Sequence, residues 1–233
     1  MSRRAAKPPV TREARRASKQ EHILTTARGL LRQHGHERLS LRDVARRAEM
    51  SPAGMYEFFE DREHLVATLG SEASARLSRS LRAATRGVPD PVERLLRLGL
   101  AYIRFAKRYP ADFMLQYGRL SKRRSLADEV PAESEFDQIR SAVAEVIGVE
   151  RMDGADPRFL ETQAYGFWSV IHGMAMLQLT HLAGFQADFA TAQRLVLESM
   201  ATSWGQLDRE QILAMYVEAP RPLPKARAWR YTR

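Results

Sequence analysis

The sequence contains no cysteine, which excludes a disulfide framework and every metal site that needs a thiolate ligand. It also lacks a Gly-rich phosphate loop, a nucleophile elbow and a pair of catalytic carboxylates. We therefore predict no enzymatic activity, no catalytic residue, no metal site and no cofactor. The basic N-terminal segment lacks the apolar stretch of a signal peptide, so we expect a cytoplasmic protein.

The longest stretch without a charged residue runs from 162 to 187. Its length is sufficient for a transmembrane helix. However, Gln163, His172, Gln178 and other polar residues, together with three glycines, argue against a membrane span. A helix that is apolar on nearly every side is better explained by burial on two sides, one against its own domain and one against a second subunit.

Positive charge is concentrated at the two ends of the chain. Residues 1–47 contain 13 Lys and Arg against 4 Asp and Glu, and residues 221–233 contain 5 basic residues and no acidic one. The net charge of the whole chain is +9. Basic segments attract phosphate and make binding depend on salt, which favours a nucleic-acid partner. For either end taken alone, the alternative is a solvated tail without a partner.

Two helix-start signals follow each other between residues 39 and 59. Ser40 precedes a helical apolar pattern and is suited to cap a first helix, and Ser51 followed by Pro52 is suited to start a second one. Only Glu49 and Met50 separate the first helix from the second cap, so the two helices must meet at a sharp angle. This arrangement, with basic side chains around it, is typical of a helix-turn-helix reader of the DNA major groove.

Gly54 lies inside the second of these helices, where a glycine lowers stability by roughly 0.5–1 kcal/mol relative to alanine. Two interpretations stay open. The glycine either allows the backbone to approach DNA closely, or it marks a relaxed end of a short helix.

Residues 20–68 resemble the DNA-binding domain of the tetracycline-repressor (TetR) family of bacterial regulators. The residues that carry the resemblance are Ile23, Leu24, Ala27, Leu30, Leu31, Gly35, Ser40, Leu41, Arg42, Asp43, Val44, Ala45, Ala48, Ser51, Met55, Tyr56, Phe59, Arg62, Glu63 and Leu65. Two positions depart from the family pattern. Glu49 stands where a turn glycine is usual, so a left-handed residue there is strained or absent. Phe58 stands where a histidine is common, which puts one phosphate contact in question.

The predicted DNA-contacting residues are Ser40, Arg42, Ser51, Pro52, Ala53, Gly54, Tyr56 and Arg62. Ser40, Arg42 and Arg62 stand at helix starts, where backbone amides and positive charge suit phosphate. The resemblance implies that residues 52–54 face the groove, but they carry no bidentate donor. We therefore expect much of the specificity to come from Arg42, from thymine methyl contacts or from DNA shape. The Tyr56 hydroxyl either binds phosphate or packs partly in the core.

The predicted fold class is all-α, with an N-terminal three-helix helix-turn-helix domain followed by a helical bundle for ligand binding and dimerisation. We assign residues 1–17 to a disordered basic arm, 18–68 to the DNA-binding domain, 69–218 to the second domain and 219–233 to a basic tail. Helices are predicted over 61–86, from Asp90 to near Tyr109, and over 111–118, 134–148, 157–182 and 187–206. Residues 119–132 are predicted to form a loop.

The helix over 157–182 has small residues on one face, which allow another helix to approach closely. This helix and the next look like the pair through which TetR-family members dimerise as a four-helix bundle. The predicted dimer-interface residues are Gly166, Ser169, Gly173, Val196, Met200 and Trp204. The stretch from Phe167 to Gly173 also resembles a Trp…His-Gly signature of one subgroup of TetR-like C-terminal domains.

The resemblance further implies a small-molecule pocket among the C-terminal helices. The candidate lining residues are Tyr102, Phe105, Met114, Tyr117, Phe167, Trp168, Ile171, His172 and Met176. Each of them is alternatively an ordinary core residue. His172, which has no acidic residue near it in sequence, is alternatively a histidine of the core or of an interface.

These observations predict a sequence-specific, DNA-binding transcriptional regulator. The expected form is a homodimeric repressor on a palindromic operator in double-stranded DNA, with half-sites ~34–36 Å apart, released by a small apolar effector. The alternative is an all-helical ligand-binding or interaction protein whose DNA-binding module has degenerated, and Glu49 and Phe58 favour it. An activator in place of a repressor also stays open.

Overall fold

The computed structural model describes residues 11–35, 38–117, 134–156 and 158–214. Over these ranges the protein is all-α, without a strand. Its α-helices are α1 (Arg12–His34), α2 (Leu41–Arg47), α3 (Pro52–Tyr56), α4 (Arg62–Thr85), α5 (Pro91–Arg108), α6 (Pro110–Tyr117), α7 (Glu135–Ile147), α8 (Arg158–Leu179), α9 (Phe189–Gln206) and α10 (Arg209–Ala214). A 3-10 helix covers Val149–Met152. The loop predicted at 119–132 and the tail predicted at 219–233 lie outside the described residues.

Helix α1 begins earlier than the predicted arm allows. The Thr11 hydroxyl accepts a hydrogen bond from the Ala14 amide at 3.2 Å, which caps the first turn at Arg12. The prediction of a disordered arm is therefore wrong for residues 12–17, because a side-chain cap satisfies one of the orphan amides of the first turn. Residues 1–10 lie outside the described ranges.

The other predicted helix starts in the first half of the chain are confirmed. The Ser40 hydroxyl accepts from the Asp43 amide and the Ser51 hydroxyl from the Gly54 amide, both at 3.1 Å. Asp90 accepts from the amide at position 93 at 2.6 Å and starts α5. These three caps are short-range features, which explains why sequence reading could place them.

The described chain forms two compact units. The N-terminal unit contains the described residues up to Ala75 together with residues 109–117. Its core joins Ile23 and Leu31 of α1, Val44 of α2, Leu65 of α4 and Leu115 of α6, among others. The unit thus extends past the predicted boundary at residue 68, and it includes α6, because the apolar side chains of both segments pack in this core.

The C-terminal unit contains residues 76–108 together with the described residues from 134 to 214. In it α5 packs against α7, α8 and α9. A Cβ atom on Gly99 of α5 would lie 2.9 Å from Cδ1 of Leu197 and 3.0 Å from Cζ of Phe167. Glycine at this position therefore allows the close approach of α5 to α8 and α9, which sequence reading did not identify.

The last helices differ in detail from the prediction. Helix α8 ends at Leu179 instead of 182, because the chain turns there and the Leu182 amide donates back to the Leu177 carbonyl at 2.7 Å. The 3-10 helix and α10 were not predicted. Within the described ranges no helix is long and apolar enough to span a membrane.

Candidate nucleic-acid interface and buried polar cluster

The turn between α2 and α3 is closed by backbone hydrogen bonds. The Met50 amide donates to the Ala45 carbonyl at 2.9 Å, and the Glu49 amide donates to the Arg46 carbonyl at 3.4 Å. This is the pattern of a Schellman motif, in which the residue after the cap adopts a left-handed conformation and is usually glycine. Glu49 has φ of 55° and is the one non-glycine residue with positive φ in the described chain. The left-handed residue is thus present, and it is a glutamate.

The outward surface of α2 and α3 contains most of the predicted DNA contacts. Arg42, Ser51, Pro52 and Ala53 are exposed. Tyr56 is 58% exposed, which argues against its alternative as a core residue. These side chains surround the start of α3, where a helix of this kind presents its first residues to base edges.

Two predicted contact residues have a structural role in this unit. Nε of Arg62 donates to the Leu39 carbonyl at 2.9 Å, and Nη1 lies 3.0 Å from Oε1 of Glu63. The Ser40 hydroxyl caps α2 and also donates to Oδ2 of Asp43 at 2.6 Å. Arg62 therefore ties the start of α4 to the segment before α2, and Ser40 is engaged in its own helix start.

Gly54 is crowded from within the protein. A Cβ atom there would lie 3.1 Å from the Ser51 hydroxyl oxygen that caps the same helix. This close contact explains, from within α3 itself, why a glycine suits position 54. Neither interpretation drawn from the sequence included it. The reason applies whether or not DNA also approaches the backbone there.

An open depression of about 560 Å³ separates the first half of α1 from α3. Its lining is mixed in charge and consists of Ser18, Lys19, His22, Ala48, Glu49, Met50, Ser51, Gly54, Glu57 and Phe58. The Arg16 guanidinium lies over the Phe58 ring, 5.2 Å from its centroid. Sequence reading treated Arg16 as part of a disordered arm and did not identify this pairing, because a cation–π contact across 42 positions leaves no local pattern.

The C-terminal unit contains a polar cluster among apolar helices. The Tyr102 hydroxyl of α5 accepts a hydrogen bond from the Trp168 indole at 3.2 Å and lies 3.0 Å from Nδ1 of His172. The rings of Phe136 and Trp168 pack edge-to-face, with 5.6 Å between their centroids. Burial lowers the pKa of His172 below its ordinary value, because an apolar environment disfavours the charged imidazolium. The histidine is therefore neutral near pH 7.

The predicted ligand-lining residues do not all share this location. Phe167 and Ile171 are fully buried and face Gly99, so they belong to the core between α5 and α8. Phe105 is also buried, and Met176 is half-buried. Met114 and Tyr117 belong to the N-terminal unit, where the Tyr117 ring packs on Phe113 with centroids 4.8 Å apart. Of the nine candidates, only Tyr102, Trp168 and His172 meet through the hydrogen bonds described above. In the described part of the chain no group of His, Asp or Glu could hold a metal ion.

The predicted dimer residues lie mostly on an outward face of α8 and α9. Ser169 and Val196 are exposed, Met200 is half-exposed, and a Cβ atom on Gly166 or Gly173 would meet nothing within 4 Å. Trp204 is the exception and is only 6% exposed. Its indole donates to Oε1 of Gln163 at 2.9 Å. The Trp204 ring therefore packs mainly inside its own unit, and its place at a dimer interface stays a prediction.

Two family models match the chain. The model of bacterial regulatory proteins of the tetR family matches residues 23–69, and the model of the tetracyclin repressor-like C-terminal domain matches residues 95–201. Neither match tests the Trp…His-Gly resemblance, which stays a prediction. No curated protein matches the chain.

Several solved structures share the fold. A protein of unknown function from Rhodococcus sp. RHA1 is 24% identical, with a TM-score of 0.67 over 81% of this chain and 96% of that one. The candidate regulatory protein SCO4313 is 27% identical, with a TM-score of 0.63 over 83% and 98% of the two chains. A TetR variant from Acinetobacter baumannii AYE in complex with minocycline is 17% identical, with a TM-score of 0.55 over 79% and 94%.

Proposed function

We propose, from the premise that this chain belongs to the tetR family of bacterial regulatory proteins, that it is a homodimeric transcriptional repressor released from a palindromic operator by a small apolar ligand. Its place among DNA-binding transcriptional regulators follows from the family. Repression, dimerisation and release by a ligand are the parts that we infer. The observation that carries the proposal is the exposed start of α3 beside Arg42 and Tyr56.

The shape of the exposed α3 surface supports operator binding. Ser51, Pro52 and Ala53 are small and exposed, so the helix start can approach the floor of the major groove without steric conflict. None of them is a bidentate reader of a base. A single module of this kind discriminates weakly, and a two-fold pair on a palindrome supplies the missing specificity.

The outward face of α8 supports a second copy as the partner. Tyr165, Ser169, Gly173 and Leu177 follow one another four residues apart and therefore share one face, opposite to the buried residues of the same helix. Tyr165 is 52% exposed and Leu177 is 47% exposed. A contiguous apolar surface with small residues at its centre is typical of a helix-packing interface.

Dimerisation is tested by adding bulk to this face. A Cβ atom added at Gly173, or at the control position Gly29 in α1, meets nothing within 4 Å; thermal unfolding of Gly173→Leu and Gly29→Leu checks that each variant keeps its fold. We expect sedimentation analysis to show dimers for the wild type and the control, and monomers for Gly173→Leu. A dimer of unchanged stability in Gly173→Leu excludes this face.

The cluster of Tyr102, Trp168 and His172 supports ligand binding in the C-terminal unit. Pockets for small molecules are mostly apolar and contain a few polar groups that fix the orientation of the ligand. A ligand can shift the DNA-binding equilibrium only if it binds one conformation more tightly than the other. We expect compounds that release the operator complex to lose potency on the variant His172→Ala, and minocycline and a panel of apolar aromatic compounds are the probes. Equal potency on both proteins argues against a role of this cluster.

Operator binding is tested by fluorescence anisotropy with a DNA fragment from immediately upstream of the protein's own gene and a shuffled fragment of the same composition. We expect the wild type to prefer the upstream fragment. The double variant Arg42→Ala/Tyr56→Ala is expected to lose at least roughly tenfold in affinity, because a specific base contact contributes about 1–3 kcal/mol and each lost phosphate contact weakens binding further. The control Arg32→Ala, at the far end of α1, is expected to bind like the wild type.

The same experiment separates the proposal from its alternative. A wild type without preference, whose weak binding the double variant leaves unchanged, indicates a degenerate DNA-binding module. A transcription assay on the upstream fragment then decides the sign of regulation. Reduced transcript on addition of the protein is the result expected for a repressor, and increased transcript indicates an activator.

A further inference from the structure

Arg16 is held in a defined position beside the end of α3. Its guanidinium carbon lies 5.2 Å from the centroid of the Phe58 ring, which is within the range of a cation–π interaction. Nη2 donates to the Glu57 carbonyl at 3.2 Å. Two independent contacts thus fix an exposed, permanently charged side chain of α1 next to the last residues of the helix-turn-helix.

Arg16 is part of a basic line along α1. Arg12, Arg16 and Lys19 are separated by four and three residues, and all three are exposed. Residues at this spacing lie on one helix face, and we call these three residues the α1 ridge. The ridge is next to α3, since Lys19 lines the same depression as Ser51 and Gly54.

We propose that the α1 ridge binds DNA phosphates beside the groove that α3 reads, with Arg16 as the central contact and Phe58 as the residue that positions it. This inference rests on the proposed function and adds residues to its binding surface. It also assigns a role to Phe58, which stands where the family commonly has histidine. The Phe58 ring positions the Arg16 guanidinium, and it does not itself bind a phosphate.

The chemistry of the ridge fits phosphate. An arginine side chain has five N–H donors, and the bond to Glu57 uses one of them. A guanidinium whose plane is fixed by a ring loses less freedom when it binds an anion than a mobile lysine does. The helix α1 contains 23 residues, so the ridge is part of a stable helix and not of a flexible tail.

Acidic groups also lie near the α1 ridge, but they do not outnumber its positive charges. Glu13 lies in the first turn of α1, and Glu49 and Glu57 line the depression. Arg15 adds a fourth exposed cation to the first half of α1. The positive side chains adjoin the exposed start of α3, which is the proposed DNA-reading helix. Their position therefore favours a nucleic-acid strand over an acidic protein as the partner.

The test is a salt titration of binding by the full chain to the upstream and shuffled fragments. Each phosphate contact contributes about 0.9 to the slope of log affinity against log salt. We expect Arg16→Ala to reduce this slope by about one and to weaken binding to both fragments by the same factor, roughly fivefold or more, so that the preference is unchanged. Arg12→Ala and Lys19→Ala are expected to act in the same direction. Arg32→Ala is the matched control, about 24 Å further along the same helix at 1.5 Å per residue.

Phe58 is tested in combination with Arg16. We expect Phe58→Leu to weaken binding in the wild-type background and to have no further effect in the Arg16→Ala background, since a positioning residue acts through its partner. Additive losses indicate that Phe58 acts only through the packing of its own unit. Thermal unfolding of each variant checks that the fold is retained.

The outcomes separate this inference from the proposed function. A wild type that prefers the upstream fragment, together with Arg16→Ala, Arg12→Ala and Lys19→Ala variants of unchanged slope and affinity, overturns the ridge and leaves the proposed function standing. A wild type that does not distinguish the fragments overturns the proposed function, and the ridge with it. A wild type that prefers the upstream fragment, together with loss of slope in Arg16→Ala and not in Arg32→Ala, supports both.

Discussion

Replacing Glu49 by glycine should stabilise this protein. Glu49 occupies the left-handed position of the turn between α2 and α3, with φ of 55°. A residue with a Cβ atom pays roughly 1–2 kcal/mol in this conformation. Glycine avoids that strain but loses about 0.5–1 kcal/mol through the greater freedom of the unfolded chain.

The difference between these two terms sets the expected size of the effect. We expect Glu49→Gly to raise the free energy of unfolding by about 0.75 kcal/mol, the difference between the midpoints of the two ranges. If the described chain unfolds as one cooperative unit of this size, the melting temperature rises by about 1–4 °C. A larger rise, up to about 8 °C, is expected if the N-terminal unit unfolds separately.

Urea denaturation followed by circular dichroism measures the change, and two further variants separate strain from charge. Glu49→Ala removes the carboxylate but keeps the Cβ atom, so we expect no gain in stability. Glu49→Asn should lie between alanine and glycine, because asparagine tolerates the left-handed region better than most residues. Equal stability of the alanine and glycine variants would refute the reasoning, since it assigns the effect to the side-chain charge.

Three further predictions concern the C-terminal unit. Gly99→Ala should lower stability by up to about 2 kcal/mol in urea denaturation because the added methyl overpacks the core, whereas Gly29→Ala should raise it by about 0.5–1 kcal/mol; the reverse order contradicts the close packing. His172 has a lowered pKa in the folded protein, so as the pH decreases through about 6.5 the unfolded chain takes up a proton before the folded chain does. The free energy of unfolding therefore decreases as the pH decreases in this range. When the pH is lowered from 7.5 to 5.5, the melting temperature of His172→Gln should therefore decrease less than that of the wild type. Equal decreases in the two proteins refute this prediction. Tyr102→Phe removes the acceptor of the Trp168 indole and should lower stability by about 1–3 kcal/mol; an unchanged urea midpoint contradicts it.

Sequence reading succeeded where the cause is local. The caps at Ser40, Ser51 and Asp90 each depend on a hydroxyl or carboxylate three residues before an amide, and such short-range signals are visible in the chain itself. The start of α1 at Arg12 was missed although its cap is equally local. The high density of basic residues and the two prolines before it suggested an arm, and the threonine cap overrode that composition.

The sequence does not decide the role of individual apolar side chains, because the same residue types occur in cores, interfaces and ligand pockets. Phe167, Ile171 and Trp204 are apolar residues in an uncharged stretch or its partner helix, and the pattern does not say which face they occupy. Packing against Gly99 and Gln163 places them inside their own unit. Arg62 is likewise a basic residue at a helix start, and its bond to the Leu39 carbonyl is a long-range contact.

The sequence by itself determined the all-α class, the helix-turn-helix and most helix boundaries in the described chain. These follow from periodicity and capping, which act over a few residues. Only the tertiary structure decided that Glu49 takes the left-handed conformation, that Phe58 carries Arg16, and that Tyr102 joins Trp168 and His172. The physical reason is that such pairings depend on which helix faces meet, and side chains that are distant in sequence meet only after the core has packed.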